Sequence, residues 1–568
     1  MNDLLTFSEK YCKKYKSRLF FGLILIFISN ILTVIPIPYI GKSINSIKNL
    51  FLDLSNNKNI ALFKKEIFFN AVIILIVPII GGFVKYYMRQ FIITTSRMIE
   101  FDIKNDIFLH YQKLDLYFYN KNSTGDLMNR LTEDISFIRQ YIGPGMMYFI
   151  NLSILFFIVF IQMFRINKSL TFYVLSPIPI LFILIYWISI NISKNGKCVQ
   201  KMQSYISSFV QETFSGIQIV KSFSAELLFS NKHKKIVLDY KNKNVILAKF
   251  ETVLSSIIIF FIGLSHVFVL FFGSKKYFEG DIKEIGVIVE FFTYINILIF
   301  PIIILGWVIT IIERAKISNN RINEFLREKS KMYNIGNGIL TKIKFVKKIQ
   351  FNNVSFNYGN STNIINNISF ILNGGNTLVL TGKTGSGKTT VAKLLSRLYD
   401  PNDGEILMND TPIVNYNLYD YRSNIGYVPQ ESFIFSDSIY NNVTLGAYKR
   451  IHYNSIYRIM KNVMMEEDIF DFNNGYDTII GGKGINLSGG QKQKICIARA
   501  IIRNPKIIIF DDSFSAMDNK TKITIMNFIQ KEFYKSIIII ITNDMNYISD
   551  YNLLIELDNG KIFKNLKK

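Results

Sequence analysis

Hydrophobic and polar positions divide the chain into two halves with different patterns. In the first half, apolar runs alternate with polar stretches, and six runs approach the roughly 20 residues that a bilayer-spanning helix needs. Buried helices of a large soluble domain would show polar stripes at helical spacing, but runs such as "TVLSSIIIFFIGLSHVFVLFF" have almost none. The pattern therefore predicts six transmembrane helices, with approximate bounds of 19–41, 67–88, 145–165, 169–192, 252–273 and 285–312.

The connections between these runs predict two long helical hairpins. Loops within each pair of spans are short, whereas the helix-compatible residues 89–144 and 193–251 separate one pair from the next. Both long segments therefore project from the same side of the membrane. Basic residues near the N-terminus favour the cytoplasm for that end, although lysines in the 42–66 loop oppose this signal. An even number of spans returns the second half of the chain to the side of the N-terminus.

The second half has the pattern of an α/β domain. After residue 328 the hydropathy falls, and short β-branched runs such as "KIIIF" and "SIIIIIT" alternate with glycine turns and helical stretches. Strands that alternate with helices are typical of a parallel sheet. The predicted fold is therefore a multi-domain membrane protein, with an all-α transmembrane domain over 1–328 followed by an α/β domain over 329–568.

Composition narrows the function classes. The formal net charge is +24, but the lysines are scattered and no arginine-rich or basic low-complexity tract is present, so we expect no nucleic-acid binding. The three cysteines, Cys12, Cys198 and Cys496, are widely spaced, which indicates neither a disulfide framework nor a zinc site.

A phosphate-binding motif lies between a strand and a helix of the second half. The sequence "GKTGSGKT" follows the apolar run "TLVL" and precedes the helical "TTVAKLLSRLY", which is the context that a phosphate loop requires. Its backbone N–H groups and the helix N-terminus would hold phosphates, Lys388 would reach the β- and γ-phosphates, and Thr389 would ligate Mg²⁺. The predicted nucleotide-binding residues here are Gly382, Lys383, Thr384, Gly385, Ser386, Gly387, Lys388, Thr389 and Thr390.

Two adjacent carboxylates follow the apolar run "KIIIF". Asp511 at the end of this run is predicted to lie opposite Thr389 and to hold the Mg²⁺ side of the site. A carboxylate that caps the next helix is the alternative interpretation, which the phosphate loop makes less favourable.

With these motifs, "LSGGQ" before the helical "KQKICIARAII" gives the chain a resemblance to the ATP-binding cassette (ABC) transporter family. The resemblance covers nearly the full length and is to a half-transporter of the exporter type. It implies an ATPase coupled to transport, with ATP and Mg²⁺ bound. Tyr358 would stack on adenine, and Gln430 would contact Mg²⁺. The signature that closes on the ATP of a second cassette would consist of Ser488, Gly489, Gly490 and Gln491.

Two positions depart from the family pattern. Asp512 stands where the family has the Glu that polarises the attacking water, and it is one methylene shorter. Asn543 stands where the family has a switch histidine, and asparagine carries neither a positive charge nor a mobile proton. An aspartate that simply moves closer remains an alternative for the first departure. Together they predict an ATP site with the catalytic set Asp512, Gln430 and Asn543 that binds ATP well and hydrolyses it slowly.

The resemblance and these departures predict a subunit of an ABC exporter for an amphipathic, drug-like or lipid-like substrate. A second half-transporter is the expected partner, with a heterodimer favoured over a homodimer. The location expected is a bacterial-type inner membrane, with the N-terminus and the ATPase domain in the cytoplasm. Two alternatives stay open: a homodimeric lipid flippase and an ATP-binding regulatory subunit that transports nothing. His266 and Glu290, ionisable residues inside predicted spans, are candidates for substrate contact. The favoured alternative places Glu290 at the level of the lipid head groups and has His266 hydrogen-bond to a backbone carbonyl.

Overall fold

The structure is a computed structural model. It describes the chain except for residues 1–9, 53–56, 331, 333–342, 344, 360–361, 448–450, 482–483, 485 and 568. The chain forms two compact units: Met1–Gln112 with Thr124–Glu328, and Lys113–Ser123 with Lys329–Lys568.

Among its described residues the first unit is all-helical, and six of the helical stretches there are long and apolar enough to cross a membrane. This confirms the predicted six-span helical domain and its long helical extensions. Its helices are α1 (Lys16–Val34), α2 (Pro36–Leu52), α3 (Asn57–Lys113), α5 (Thr124–Asn129), α6 (Ile135–Gln140), α7 (Met146–Ile166), α8 (Lys168–Leu175), α9 (Pro177–Ser215), α10 (Ile217–Ser222), α11 (Glu226–Phe278) and α12 (Gly286–Arg327), with α4 (Leu116–Lys121) in the second unit.

Prolines break two of the predicted spans into separate helices. The first span is interrupted at Ile35, before Pro36, and the fourth at Ser176, before Pro177. Proline lacks the N–H that would continue the helical hydrogen bonds. Ile35 (φ −50°, ψ −42°) and Ser176 (φ −55°, ψ −32°) keep helical backbone angles, so each pair of helices still forms one candidate span. Two π-helical segments, Arg130–Asp134 and Tyr141–Gly145, also interrupt the run that leads into α7.

The second unit contains two sheets. A four-stranded antiparallel sheet has the order β2-β1-β4-β5, and a six-stranded sheet has the order β10-β9-β3-β8-β7-β6, parallel except for β10. The strands are β1 (Lys348–Phe356), β2 (Ile365–Asn373), β3 (Thr377–Gly382), β4 (Asp403–Met408), β5 (Thr411–Pro412), β6 (Ile425–Val428), β7 (Ile507–Asp511), β8 (Ile537–Ile541), β9 (Leu553–Asp558) and β10 (Lys561–Lys567).

Helices flank the six-stranded sheet, and its central strands are entirely buried. Strand β7 consists of three isoleucines and a phenylalanine before Asp511, and β8 consists of five isoleucines. Neither has an exposed position, which is typical of a parallel sheet covered on both faces. The α/β prediction is therefore confirmed. The helices of this unit after α4 are α13 (Lys388–Leu395), α14 (Leu418–Ser423), α15 (Ile439–Thr444), α16 (Tyr453–Asn462), α17 (Glu466–Phe470), α18 (Gly489–Ile501) and α19 (Asn519–Glu532).

The strand order brings three loops to one edge of the sheet. Strand β8 pairs with β3 on one side and with β7 on the other, all parallel. Parallel strands end at the same edge, so the loops after β3, β7 and β8 are neighbours. These three loops carry the phosphate loop, Asp511 with Asp512, and Asn543.

Candidate nucleotide site

A cavity of about 330 Å³ lies at this edge. The phosphate loop, Gln430, the two aspartates and the end of β8 line it together. The lining residues are Ile364, Thr384, Gly385, Ser386, Gly387, Lys388, Thr389, Thr390, Gln430, Asp511, Asp512, Ile541, Thr542 and Asn543. Residues far apart in sequence thus meet in one cavity, and all three predicted catalytic residues are among them.

Two glycines of the phosphate loop are required by the backbone. Gly382 has φ +140°, and a Cβ there would collide with the carbonyl oxygen of Leu557. Gly387 has φ +102°, and a Cβ there would lie 2.6 Å from Ile365 Cδ1. Both conformations are open to glycine and strained for other residues. The loop therefore keeps its curvature and presents the N-terminus of α13 to the cavity.

Lys388, the first residue of α13, is held by its own loop. Its Nζ donates to the carbonyl oxygens of Gly382, at 2.5 Å, and Lys383, at 2.9 Å. Burial lowers the pKa of Lys388, while the charges of Asp512 and Asp511 oppose that shift. The two carboxylates thus partly offset the effect of burial on this ammonium group, which lies where phosphates would bind.

Asp511 is fixed by hydroxyl groups on both of its oxygens. Thr389 Oγ1 donates to Oδ1 at 2.9 Å, and the Tyr427 hydroxyl donates to Oδ2 at 3.1 Å. Burial raises the pKa of Asp511, and these two hydrogen bonds oppose the rise. Asp511 therefore lies beside Thr389 as predicted, and the two oxygen-bearing side chains together suit Mg²⁺, which prefers oxygen ligands.

Asp512 has an unusual backbone conformation. Its φ is +48°, in the left-handed region, and its N–H donates to the carbonyl oxygen of Ile541 at 2.9 Å. Residues other than glycine seldom adopt this conformation, and the surrounding structure holds them in it. Burial raises the pKa of Asp512, and the charges of Lys388 and Lys522 oppose that rise. The carboxyl group is thus attached to a backbone that is anchored to β8.

Gln430 and Asn543 are exposed at the cavity. Within the described part of the chain, neither side chain forms a hydrogen bond. Asn543 lies two residues after β8 and Gln430 two residues after β6, so rigid strands precede both. Both amides are therefore available to a ligand.

A half-buried ion pair lies next to Asn543. Lys522 Nζ is 3.2 Å from Asp544 Oδ2, with only 11% of the lysine side chain exposed and 38% of the aspartate side chain. The same ammonium lies 5.5 Å from the centroid of the Tyr547 ring. The Asn546 N–H and Lys522 hold the pKa of Asp544 below its ordinary value. Helix α19 is thereby joined to the loop that carries Asn543.

Tyr358 lies beside the phosphate-loop helix. Its hydroxyl is 3.2 Å from Thr390 Oγ1, and Lys393 Nζ is 5.8 Å from the ring centroid. The ring packs edge-on against Tyr399, with centroids 5.1 Å apart. An aromatic ring is thus fixed next to α13, although Tyr358 does not line the cavity.

The predicted signature lies at the N-terminus of α18. Ser488 Oγ accepts from the Gln491 N–H at 3.2 Å, and Gln491 Oε1 accepts from the Ser488 N–H at 2.9 Å, which forms a capping box. Ser488 and Gly489 are exposed and do not line the cavity. A Cβ on Gly490 would lie 3.1 Å from the Ala516 carbonyl oxygen, so the signature packs closely on the loop of residues 515–518, the "SAMD" loop.

The site residues fit a magnesium nucleotide. Ser386 Oγ is buried, lines the cavity and has no hydrogen-bond partner among the described residues, so it is available to a phosphate oxygen. Lys388 supplies a cation, and Thr389 with Asp511 supplies oxygen ligands. When bound, the metal neutralises charge on the transferring phosphoryl group.

The two halves of the chain match two parts of one family. The family described as ABC transporter transmembrane region matches residues 19–302, and the family described as ABC transporter matches residues 365–515. The multidrug resistance-like ATP-binding protein MdlA of Buchnera aphidicola subsp. Baizongia pistaciae is 32% identical over 565 residues, which cover 97% of this chain and 93% of that protein. The chain belongs to the ABC transporter family.

Further relatives agree on its type. One is YheI of Bacillus subtilis, a probable multidrug resistance ABC transporter ATP-binding/permease protein. The two sequences are 28% identical over an alignment that covers 97% of this chain and 92% of YheI. A bacterial Atm1-family ABC exporter, solved with ATP bound, superposes with a TM-score of 0.81 at 20% identity, over 97% of this chain and 95% of that chain. At this identity the superposition shows the fold alone.

This chain is therefore an ABC exporter half-transporter. It is a multi-pass membrane protein with an ABC ATPase domain, and the exporter to which it belongs couples ATP hydrolysis to transport. Exporters of this family work as dimers, so its partner is a second half-transporter.

The two ionisable residues of the predicted spans are in different surroundings. His266 stacks on Phe292, with ring centroids 4.8 Å apart. Glu290 is buried and its carboxyl group packs against Gly41. Neither observation assigns a role in substrate contact, which stays a prediction.

Sequence analysis missed Tyr427 and the pair of Lys522 with Asp544. Tyr427 belongs to "IGYV", a strand that pairs with β7, so a parallel arrangement of the two would have placed it near Asp511. Nothing in the sequence indicates that Lys522 is buried, because a lysine on an amphipathic helix is usually exposed.

Proposed function

We propose that this chain is one subunit of an ABC exporter for an amphipathic, drug-like or lipid-like substrate, and that its own ATP site is degenerate. Hydrolysis would take place mainly at the second site, which uses the partner's phosphate loop. We place residues 1–328 in the transmembrane domain and 329–568 in the nucleotide-binding domain. The names of the relatives support a drug-like substrate.

The observation that carries this proposal is the pair of Asp512 and Asn543 in one cavity with the phosphate loop. A carboxylate that is one methylene shorter ends about 1 Å from the place a glutamate would reach, and such a misplacement can cost on the order of 10²-fold in rate. The Asp512 backbone is anchored to Ile541 by a 2.9 Å hydrogen bond, which opposes a movement towards the nucleotide. Asn543 presents an amide where the family has the switch histidine, so this position lacks the positive charge that histidine can carry.

Binding of ATP is supported by the rest of the site. Lys388, Thr389 and Asp511 are in place, and Tyr358 lies beside α13. ATP at this site would mainly hold two cassettes together. Since nucleotide is cytosolic, we place this domain and the N-terminus in the cytoplasm, and the spans in a bacterial-type inner membrane.

The ordered, exposed signature, together with Asp512 and Asn543, supports a heterodimer over a homodimer. Ser488 and Gly489 are held by a capping box on the surface and do not line this chain's own cavity. Each ATP site of the dimer would combine the phosphate loop of one chain with the signature of the other. The signature of this chain would thus complete an active site on the partner, while the partner's signature would complete the slow site on this chain. Asp512 and Asn543 would then need no catalytic power of their own.

The test is to restore the family residues. We expect the Asp512→Glu/Asn543→His variant, in nanodiscs that hold two copies of the chain, to hydrolyse ATP at least about tenfold faster than the wild type, in line with the cost of misplacing a catalytic group. The same pair of substitutions on a Lys388→Ala background is the control and should show no gain. A restored variant no faster than the wild type would contradict the degenerate site.

A further inference from the structure

A second cavity, of about 480 Å³, lies within the first unit. Helices α9 and α12 supply most of its lining, at positions that lie three, four or seven residues apart and therefore share one helix face. The lining begins just beyond the apolar stretches 169–192 and 285–312. The cavity thus lies at the boundary between the apolar and polar parts of both helices.

Charged side chains line this cavity, and they are not balanced. Four are basic and two are acidic, a net charge of +2, namely Lys197, Lys201, Arg314, Arg321, Glu133 and Asp134. Arg321 lies 3.2 Å from Asp134, which also accepts a 2.7 Å hydrogen bond from the Ser318 hydroxyl. The charge of Asp134 is therefore paired with Arg321, and Arg321 also pairs with Asp126, so Arg321 is neutralised.

The remaining cations have no acidic partner in the described part of the chain. Lys197 and Lys201 are exposed to the cavity from consecutive turns of α9. The Arg314 guanidinium lies 5.3 Å from the Phe137 ring centroid, a contact that leaves its charge in place. Glu133, in the π-helical segment Arg130–Asp134, is the one lining acid besides Asp134. Three positive charges thus face one unpaired negative charge.

The rule that cytoplasmic segments are rich in basic residues does not explain this convergence. That rule sets the number of cations near a span and not the helix face they occupy. Lys194 on α9 and Lys316 on α12 are exposed and lie outside the cavity lining. The same two helices therefore carry cations that line the cavity and cations that do not, and the second group serves as a comparison.

We propose that this cavity binds the anionic head group of an amphipathic molecule, a phosphate or a sulfate, while the apolar tail lies along the spans. The inference rests on the proposed exporter function and specifies its substrate class. The volume is in the range of small-molecule sites, and guanidinium and ammonium groups hydrogen-bond strongly to phosphate. Such a molecule is either a membrane phospholipid or a soluble amphipath, and both share this head-group chemistry.

Binding of two labelled lipids to the full-length chain in neutral detergent micelles tests the proposal. The probes are phosphatidylglycerol and phosphatidylcholine with identical acyl chains and a tail fluorophore, followed by anisotropy. We expect tighter binding of phosphatidylglycerol by the wild type. Because each cation near an anionic lipid surface contributes roughly fivefold in affinity, Lys197→Gln/Lys201→Gln should weaken phosphatidylglycerol binding by about 25-fold and leave phosphatidylcholine unchanged.

The matched control is Lys194→Gln/Lys316→Gln, which removes the same charge from the same helices and should change affinity by about twofold or less. Equal losses in both variants, or no preference in the wild type, would overturn the proposal. Lys197→Arg/Lys201→Arg should retain the preference, and ATP binding by every variant checks folding.

Competition with soluble amphipaths shows whether the anionic head group belongs to a membrane phospholipid or to a soluble molecule. Dodecyl phosphate that displaces phosphatidylglycerol supports a site for soluble anionic amphipaths as well, whereas no displacement limits the site to phospholipid. Displacement by dodecylphosphocholine at equal strength would contradict a requirement for net negative charge. The assay needs no ATP turnover, so its outcome is independent of the degenerate-site proposal. Binding without ATP-dependent movement of labelled phosphatidylglycerol in vesicles would contradict its role as a substrate.

Discussion

The pair of Lys522 with Asp544 provides a specific prediction about the loop that carries Asn543. Lys522 lies on α19, directly after the "SAMD" loop, and Asp544 follows Asn543. We expect Lys522→Met, which keeps the length of the side chain and removes its charge, to loosen residues 543–547. The nucleotide contacts of Lys388 and Thr389 should not change, since neither touches this pair.

The free-energy cost of each substitution follows from the burial of Lys522 and Asp544. A hydrogen bond to a charged group contributes about 1.5–3 kcal/mol. Asp544 keeps 38% of its side chain exposed, so solvent screens part of this energy and we expect about 1–2 kcal/mol for Lys522→Met. Asp544→Ala should cost more, about 2–3 kcal/mol, because it leaves the lysine, 11% exposed, without its carboxylate.

Amide hydrogen exchange measures this effect locally. Because about 1.4 kcal/mol corresponds to tenfold, exchange at residues 543–547 should accelerate by roughly tenfold in Lys522→Met. The reversed pair Lys522→Glu/Asp544→Lys should recover a large part of the protection that either single substitution loses. ATP affinity should stay within about twofold of the wild type in all of these variants, since the phosphate loop is untouched.

The other end of α19 offers the control. Arg458 and Glu532 lie 2.7 Å apart, but 65% and 41% of their side chains are exposed. Such a pair contributes roughly 0–1 kcal/mol, so Arg458→Met should not change exchange at residues 543–547. Unchanged exchange in Lys522→Met, or a reversed pair as mobile as the single variants, would refute the argument.

Three further predictions concern the nucleotide cavity. Gly382→Ala should lower ATP affinity by at least about tenfold, since a Cβ at φ +140° meets the Leu557 carbonyl oxygen; a fluorescent ATP analogue measures this, and unchanged affinity would contradict the tight packing. Burial raises the pKa of both Asp511 and Asp512, so their carboxylate forms are lost as the pH falls through values above those of ordinary aspartates. Mg²⁺-dependent ATP binding should therefore weaken at a higher pH than for an exposed carboxylate, and a titration from pH 8 to pH 5 would show it. Tyr427→Phe removes a donor to Asp511, so it should raise that pKa further and move the acidic limb of the Mg²⁺ titration to higher pH; an unmoved limb would argue against this hydrogen bond.

Several features of the fold were accessible from the sequence. Long runs without polar stripes predicted the six helices, and β-branched runs between glycine turns predicted the parallel sheet. The interruptions at Ile35 and Ser176 do not follow from apolar composition, because Pro36 and Pro177 remove hydrogen bonds while the backbone stays helical. Predicted span ends also differ from the helix ends, since the helices continue far beyond their apolar portions.

The candidate site was predicted as far as the motifs extend. Of the motif "GKTGSGKT", residues 384–389 line one cavity with Asp511, whereas Gly382 and Lys383 lie outside its lining. The left-handed backbone of Asp512 was not predictable, because aspartate adopts many turn conformations and only the partner strand selects one. The pair of Lys522 with Asp544 joins residues 22 positions apart, and only the packing of α19 on the sheet brings them together.

Steady-state ATP turnover by the purified wild-type chain alone, in lipid nanodiscs and beside a Lys388→Ala control, tests the central claim most directly. The degenerate-site account predicts tight ATP binding with turnover no faster than in the control. Turnover well above the control would show that Asp512 is a competent catalytic residue and that two copies of this chain suffice, which would contradict the account.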